Sequence, residues 1–279
     1  MLQSKKIGLG TVQFGMDYGI SNGRGQTSKE EVRSILNCAR KNQIKFLDSA
    51  SAYGNAEEIL GICGVEDFNI VSKFMPSEEG VSLQEQLNSS FEKLRVESLY
   101  GYLAHRPLAL IDEPDAWQEL LELKKAGKIE KIGFSLNQPE ELEKLLNIGL
   151  LPDLVQVPYN YFDRRFEKAI EDLKNGGCEI HTRSAFLQGL FFVEPSKLSS
   201  FFDEIKLNLE EIQNRESSLA GDLLNFVLSN EMIDKVIIGV EDKSQLENNF
   251  QMLKSAKELP FLTKEIPDNI LIPSLWPKR

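Results

Sequence analysis

The stretch Ile44-Lys45-Phe46-Leu47-Asp48 is a short apolar run that ends on an acidic residue. Comparable runs end on a lysine, in Phe68-Asn69-Ile70-Val71-Ser72-Lys73, and on a histidine, in Leu99-Tyr100-Gly101-Tyr102-Leu103-Ala104-His105. Short apolar runs of this kind are typical of buried parallel strands. In a parallel β/α protein the carboxyl ends of the strands share one rim, where ligands bind. The sequence therefore predicts that these terminal residues meet at one site.

The rest of the chain alternates similar runs with segments of helical periodicity. Ser28-Lys29-Glu30-Glu31 is a capping box that predicts a helix start, and the last helix is predicted over Lys243 to Leu253. Strands are predicted at residues 7–11, 44–48, 68–73, 99–104, 129–133, 154–157, 178–182 and 236–238. Eight such units in 279 residues predict an α/β protein with a (β/α)8 TIM barrel in a single domain, residues 1–279, with an irregular Pro-rich tail from about residue 259. A doubly wound sheet is the alternative, but no GxGxxG lies between a strand and a helix.

Composition narrows the possible partners. Hydrophobic residues make up 41% of the chain and the net charge is −11, so the chain has material for a large core and repels nucleic acid and anionic membranes. The 3 cysteines show no CxxC or Cys/His spacing, which argues against a disulfide framework or a metal site. No signal peptide or run long enough to span a bilayer is apparent, so we expect a cytoplasmic protein with reduced thiols and a small-molecule substrate. The oligomeric state stays open.

Four strand-end residues have chemistry that suits proton transfer to a carbonyl oxygen. Tyr53, in the turn after Asp48, is a phenol whose pKa a nearby ammonium would lower, and Lys73 is the candidate. Asp48 would hold Lys73 charged, and His105 could donate to the substrate oxygen. Each residue alone also has a structural interpretation, as a cap, a packing ring or a solvated charge. The hypothesis depends on all four falling at one rim.

Five ordered segments carry a resemblance to a known family. They are Phe46-Leu47-Asp48-Ser49-Ala50-Ser51-Ala52-Tyr53-Gly54, Val71-Ser72-Lys73-Phe74, Leu103-Ala104-His105-Arg106-Pro107, Gly127-Lys128-Ile129-Glu130-Lys131-Ile132-Gly133-Phe134-Ser135 and Val155-Gln156-Val157-Pro158-Tyr159-Asn160. In these segments the chain resembles the aldo-keto reductase superfamily. Two other segments, residues 10–19 and 183–190, resemble most the bacterial members associated with polysaccharide or sugar-nucleotide synthesis. The resemblance implies a (β/α)8 barrel that reduces carbonyls with a nicotinamide cofactor, with Tyr53, Lys73, Asp48 and His105 as catalytic residues.

The resemblance also implies which residues would contact the cofactor. Ser135 and Gln156 would hold the nicotinamide carboxamide, and Gly10 and Thr11 would lie beside the cofactor. The diphosphate region would be lined by Ser184, Leu187 and Gly189. The adenosine end would be wrapped by the segment from Gly239 to Asn249, which includes Glu241, Lys243 and Gln245.

Three departures from the family pattern bear on the cofactor. Leu136 stands where the family often has asparagine, and Arg183 stands where many members stack an aromatic ring on the nicotinamide. We expect Arg183 to stack through its planar guanidinium. The family usually binds NADP(H), but Glu241 and Asp242 would repel a 2′-phosphate or accept from a ribose hydroxyl. Lys243 could still bind a phosphate. NADP(H) stays slightly ahead of NAD(H) on the strength of the resemblance.

These observations predict an NAD(P)-dependent enzyme that reduces an aldehyde or ketone, with a sugar-derived carbonyl as the expected substrate. Polar Gln13, Asp17 and Asn22 near the mouth of the barrel could hydrogen-bond hydroxyl groups. The alternative is a cofactor-binding, redox-sensing regulator with little turnover. A metal-dependent barrel hydrolase fits poorly, because the 2 histidines, His105 and His181, form no HxH pair.

Overall fold

Eight parallel strands close into a barrel, in which each strand pairs with its neighbour along the chain and the last pairs with the first. The computed structural model describes residues 3–76, 81–215, 218–262 and 264–277. The strands are β1 (Ile7–Gly10), β2 (Phe46–Asp48), β3 (Asn69–Phe74), β4 (Leu99–Ala104), β5 (Ile129–Ser135), β6 (Leu154–Pro158), β7 (Glu179–Arg183) and β8 (Lys235–Gly239). The predicted (β/α)8 barrel is confirmed, and the closed sheet excludes the doubly wound alternative.

Helices connect the strands on the outside of the barrel. In the described residues they are α1 (Val12–Gly15), α2 (Lys29–Lys41), α3 (Ala56–Cys63), α4 (Leu83–Leu94), α5 (Pro114–Lys125), α6 (Pro139–Asn147), α7 (Glu167–Asn175), α8 (Lys206–Gln213), α9 (Leu219–Leu228), α10 (Lys243–Leu253) and α11 (Asp268–Leu271). At the predicted cap of α2, the Ser28 side chain accepts from Glu31 N, which satisfies one of the free N–H groups of the first turn. Within the described ranges, no helix combines the length and apolar character that a bilayer crossing requires.

The carboxyl-terminal segment differs from its predicted irregular form. The prediction that α10 is the last helix is wrong, because α11 follows it. Ile266, Ile270 and Leu271 are buried in a second apolar cluster that lies beside the loop after β7. The sequence predicted no helix here because the segment is rich in proline. Pro267 occupies its N-cap, where the missing N–H breaks no intrahelical hydrogen bond.

The inside of the barrel explains why strand ends carry the candidate site. Val71, Leu103 and Leu154 form a separate apolar cluster. They come from β3, β4 and β6, and since β4 and β6 are not paired in the sheet, these side chains meet across the barrel axis. Side chains two positions apart on a strand share a face. Two positions after Val71, Leu103 and Leu154 come Lys73, His105 and Gln156. These three residues therefore lie directly above the apolar cluster, at the carboxyl rim of the barrel.

Candidate active site

A buried ion pair lies at the carboxyl ends of β2 and β3. Lys73 Nζ lies 2.6 Å from Asp48 Oδ1 and donates to Ser49 O at 2.8 Å. Lys73 is fully buried, and burial alone would lower its pKa, but the adjacent Asp48 carboxylate raises that pKa above its ordinary value. Lys73 is therefore a cation inside the barrel.

Tyr53 lies over this pair, in the turn after β2. Its ring centre is 5.1 Å from Lys73 Nζ. Two glycines let the loop after β1 pack tightly against the turn. A Cβ on Gly15 would lie 1.8 Å from Tyr53 O, and Gly54, at φ +55°, would place a Cβ 2.3 Å from Gly15 O. Only glycine tolerates this approach, so these two positions determine where the phenol stands.

His105 completes the group of four predicted catalytic residues. Its ring centre is 5.7 Å from that of Tyr53, with the rings almost perpendicular. Its Nδ1 is buried and has no hydrogen-bond partner in the described residues. Burial lowers the pKa of His105 to about 3, and the charges of Lys73, Arg183 and Arg106 act in the same direction. At neutral pH the imidazole is thus uncharged and carries a single N–H donor.

A cleft of about 470 Å³ opens at this rim. Most of the predicted site residues line it, namely Gly10, Thr11, Asp48, Tyr53, Gln156, Arg183, Ser184, Gly189, Gly239, Glu241, Gln245 and Asn249. The structure thus brings together segments that are more than 200 residues apart in the chain, because β1 and β8 are neighbours in the barrel. Thr11 also ties β1 to β2, since its hydroxyl donates to Asp48 O at 3.0 Å.

Five predicted residues are not among those that line the cleft. Lys73 and His105 lie beside Tyr53, as described above, and Ser135 is buried at the end of β5. Leu187 packs into the second apolar cluster. Lys243 Nζ lies 3.2 Å from Glu247 Oε1 on the outer face of α10.

The hydrogen bonds of the Gln156 side chain show whether this cleft could bind a nicotinamide. Its Nε2 donates to Asp48 Oδ2 at 2.6 Å, whereas its Oε1 is buried without a partner in the described residues. An unsatisfied buried acceptor is costly, by about 1–3 kcal/mol. The amide N–H₂ of a nicotinamide could satisfy it, and Gln156 lines the same cleft as Gly10 and Gly239. The residues present therefore fit this cofactor.

The loop after β7 borders the cleft in an unusual backbone conformation. Three of its non-glycine residues have left-handed φ values, namely Ser184 (65°), Leu187 (44°) and Gln188 (52°). Such backbone is costly and clusters at functional sites. The loop after β1 joins it, because Ile20 N donates to Gln188 O at 3.0 Å. The two loops together border the cleft opposite α10.

Sequence reasoning missed several cleft residues. Gln188 Nε2 donates to the Tyr18 hydroxyl at 2.7 Å, and Phe186 and Phe192 add apolar walls. Burial raises the pKa of Tyr18. Their only sequence signal is position in the loops after β1 and β7, where substrate-contacting residues of barrels concentrate.

The three residues predicted to bind hydroxyl groups lie in different places relative to the cleft. Gln13 lines the cleft, while Asp17 is exposed and is not among its lining residues. Asn22 is buried, and its side chain organises the loop by accepting from Arg24 N and Gly25 N. In the described ranges, no cluster of three or more His, Cys, Asp or Glu is placed to hold a metal ion.

Comparison with known proteins identifies the family. The model of the aldo/keto reductase family matches residues 6–263. This chain belongs to that family. It is 26% identical over 304 residues to L-glyceraldehyde 3-phosphate reductase of Escherichia coli, covering 88% of this chain and 86% of that enzyme. It is 30% identical over 184 residues to glyoxal reductase of Bacillus subtilis, covering 63% of this chain and 64% of that enzyme, which is less than two thirds of its length.

Solved structures agree on the fold. The aldo-keto reductase AKR11C1 from Bacillus halodurans, in its holo form, has a TM-score of 0.72 at 20% identity, over 97% of this chain and 91% of that chain. An aldo-keto reductase from Klebsiella pneumoniae in complex with NADPH has a TM-score of 0.68 at 19% identity, over 91% of this chain and 87% of that chain. At these identities the likeness concerns the barrel.

Proposed function

We propose that this aldo-keto reductase reduces an aldehyde or ketone to an alcohol with a nicotinamide cofactor. The observation that carries the proposal is the fully buried Lys73–Asp48 pair beneath Tyr53, where Tyr53 lines a cleft. Burying an ion pair gives little net stability, because desolvation offsets the attraction between the charges. A pair held under a phenol that faces a cleft is instead well suited to proton transfer.

Each residue has a role at a stated atom. When bound, the cofactor supplies the hydride, which no side chain can provide. Tyr53 Oη donates its proton to the carbonyl oxygen as that oxygen gains negative charge. The Lys73 cation stabilises the phenolate that remains, and Asp48 keeps Lys73 in place and charged. His105, being uncharged, donates its one N–H to the same oxygen.

The charges along the cleft support NAD(H) as the cofactor. The family resemblance favours NADP(H), but a 2′-phosphate needs a cation, and among the described residues that line the cleft Arg183 is the sole cation. At the α10 end, Glu241 is the only charged residue among the described residues that line the cleft. Lys243 pairs with Glu247, and Asp242 is already engaged by Arg24 and by Gln245 N. Glu241 can accept from a ribose hydroxyl, as acidic residues do in NAD sites.

Polar groups at the mouth support a small hydroxylated carbonyl, such as a sugar-derived aldehyde. The Tyr18 hydroxyl, Gln188 and Gln13 border the same cleft as Tyr53 and could hydrogen-bond hydroxyl groups. The relatives named for glyoxal and L-glyceraldehyde 3-phosphate reduction are consistent with small substrates of this kind.

The test compares Tyr53→Phe with Tyr100→Phe. Tyr100 is the control because it lies at the amino-terminal end of the barrel, away from the cleft at the carboxyl rim. NADH and NADPH binding is measured by nicotinamide fluorescence, and turnover with methylglyoxal and glyceraldehyde by loss of reduced cofactor. We expect Tyr53→Phe to lower kcat by about 10²–10⁴-fold, the usual worth of a general acid, with the cofactor Kd within about threefold of the wild-type value. The Tyr100→Phe variant should keep its kcat.

Four results would contradict the proposal or parts of it. Unchanged turnover in Tyr53→Phe removes the acid role, and tighter binding of NADPH than of NADH removes the cofactor assignment. A wild-type protein that binds cofactor yet reduces no carbonyl would be the redox-sensing regulator instead. The absence of any cofactor binding would end the oxidoreductase interpretation.

A further inference from the structure

Arg183 is an unusual cation because only neutral groups hold it. Its Nη2 donates to Leu136 O at 2.9 Å and to Asn137 Oδ1 at 2.6 Å, and its Nη1 lies 3.4 Å from Ser184 Oγ. These are its hydrogen-bond partners among the described residues, and none of them is a carboxylate. The positive charge of Arg183 is therefore not neutralised locally.

The guanidinium lies across the carboxyl end of β6. Arg183 ends β7, while its partners Leu136 and Asn137 follow β5, and β6 lies between those two strands in the barrel. Gln156 lies two positions before the end of β6 at Pro158 and lines the same cleft as Arg183, and its buried Oε1 has no partner in the described residues. The acceptor that suits a nicotinamide amide and the unneutralised cation are thus neighbours.

Arg183 determines the net charge of this end of the cleft. The charges of Lys73 and Asp48 offset each other across 2.6 Å. His105 is uncharged at neutral pH. The charge of Arg183 acts on two neighbouring residues. It contributes to the lowered pKa of His105, and it offsets part of the rise that burial causes in the pKa of Tyr18. One positive charge remains beside the place where Gln156 can accept from an amide.

We propose that Arg183 makes the site distinguish the two oxidation states of its cofactor, binding the reduced form in preference to the oxidised form. This inference rests on the proposed function. The reduced nicotinamide ring is neutral and electron-rich, and a cation next to such a ring is attracted to it. The oxidised ring carries a positive charge, which the guanidinium repels.

Weaker binding of the oxidised form affects release of the cofactor. In carbonyl reduction the ring loses a hydride, that is two electrons and a proton, and becomes a cation, while the carbonyl carbon gains the hydride and the oxygen takes the proton of Tyr53. The positive charge on the ring appears beside Arg183, so the oxidised product is bound more weakly than the reduced reactant. Arg183 thus promotes release of the oxidised cofactor after each reduction.

Equilibrium binding of both oxidation states tests this inference without measuring turnover. The Kd values of NADH and NAD⁺ are determined for wild-type protein and for Arg183→Gln, Arg183→Met and Arg183→Lys. We expect the ratio of the NAD⁺ Kd to the NADH Kd to fall by about tenfold or more in the two neutral variants, since a charge–charge repulsion is removed. Arg183→Lys, which keeps the charge, should stay within about threefold of the wild-type ratio.

Arg24→Gln is the matched control. It removes an arginine that pairs with Asp242 near α10, away from Gln156, so it should change both Kd values by the same factor. Circular dichroism shows whether each variant is folded. Two neutral variants are made so that the comparison still stands if one of them does not fold.

The outcomes separate this inference from the proposed function. An unchanged ratio in the neutral variants, with NADH still bound, overturns the inference and leaves the reductase function standing. A ratio that falls equally in Arg183→Lys shows that charge is not the cause and also overturns it. If wild-type protein binds no nicotinamide cofactor, the proposed function fails and the inference fails with it.

Discussion

The two ends of this barrel carry the same four kinds of polar group, on closely similar residues. At the carboxyl rim these are Asp48, Lys73, Tyr53 and His105, and in the amino-terminal half they are Glu179, Lys131, Tyr100 and His181. Both groups contain a lysine–carboxylate pair, a phenol and an imidazole, and both draw on several strands. The difference between them lies in how their hydrogen bonds are used.

The amino-terminal group is centred on the carboxylate of Glu179. Glu179 accepts from the Tyr100 hydroxyl at 2.6 Å, pairs with Lys131, and lies 2.7 Å from His181 Nε2. Burial and the bond to Glu179 raise the pKa of Tyr100 to about 12, which makes it a poor proton donor. Burial would raise the pKa of Glu179, but its three hydrogen-bond partners hold that pKa at about 2. This group stabilises the barrel.

The carboxyl-rim group keeps polar atoms available. Asp48 is satisfied by Lys73 and Gln156, but Gln156 Oε1 and His105 Nδ1 are buried without partners in the described residues, and Tyr53 lines the cleft. The same residue types are thus structural at one end and suited to chemistry at the other. The bonding of the phenol, rather than residue type, distinguishes the candidate site: Tyr100 donates to the carboxylate of Glu179, whereas Tyr53 donates to no carboxylate in the described residues and lines the cleft above Lys73.

Removing the lysine at the carboxyl rim should have the largest effect. In Lys73→Met the phenolate of Tyr53 loses its cation, so kcat should fall by about 10²–10⁴-fold. Asp48 becomes an unpaired buried carboxylate, which should lower the free energy of unfolding by about 3–5 kcal/mol. Steady-state kinetics and urea unfolding measure the two effects.

The double variant Asp48→Asn/Lys73→Met separates these two effects. It removes both charges, so it should regain much of the lost stability while kcat stays low. Recovery of kcat together with stability would mean that Lys73 acts only through the fold, and the contrast between the two ends would fail.

The equivalent change at the other end should affect stability alone. Lys131→Met leaves Glu179 with Tyr100 and His181 as partners, so we expect a loss of about 1–3 kcal/mol in the free energy of unfolding. The same kinetic assay should give kcat and KM within about twofold of wild type. A large loss of kcat at unchanged folding would show that the amino-terminal group contributes to turnover.

Acid should destabilise the two ends in different pH ranges. His105 has its pKa lowered to about 3 in the folded protein, against an ordinary 6.5. Between those pH values the unfolded chain binds a proton that the folded chain does not. The free energy of unfolding therefore decreases as the pH is lowered, by at most about 1.4 kcal/mol per pH unit. Glu179 has its pKa lowered to about 2 from 4.5, so its stabilisation is lost only as pH falls below 4.5.

Unfolding free energies measured from pH 7 to pH 3 test this order. The His105→Gln variant should flatten the curve between pH 6.5 and 4.5, whereas Glu179→Gln should change its slope only below pH 4.5. A wild-type slope in His105→Gln over the upper range would show that the imidazole is protonated in the folded protein.

Much of the architecture could be predicted because it depends on local pattern. The run Leu99–Ala104 and the helix Lys243–Leu253 have the predicted bounds, since buried strands and amphipathic helices are encoded in neighbouring residues. Helix α11 could not be predicted, because its burial depends on contacts with the distant loop after β7. Tyr18 and Gln188 were missed for the same reason, as their hydrogen bond joins residues from opposite parts of the chain.

The sequence by itself determined the barrel, the family and the identity of the residues at the strand ends. It did so because strand periodicity and the order of motifs survive without knowledge of contacts. Only the tertiary structure decided which of two similar phenols donates to a carboxylate and which lies above a buried lysine at the carboxyl rim. It also decided that Arg183 has no carboxylate partner among the described residues and that Glu241, not Lys243, borders the cleft. These properties depend on burial and on distances between remote residues, and no local pattern specifies them.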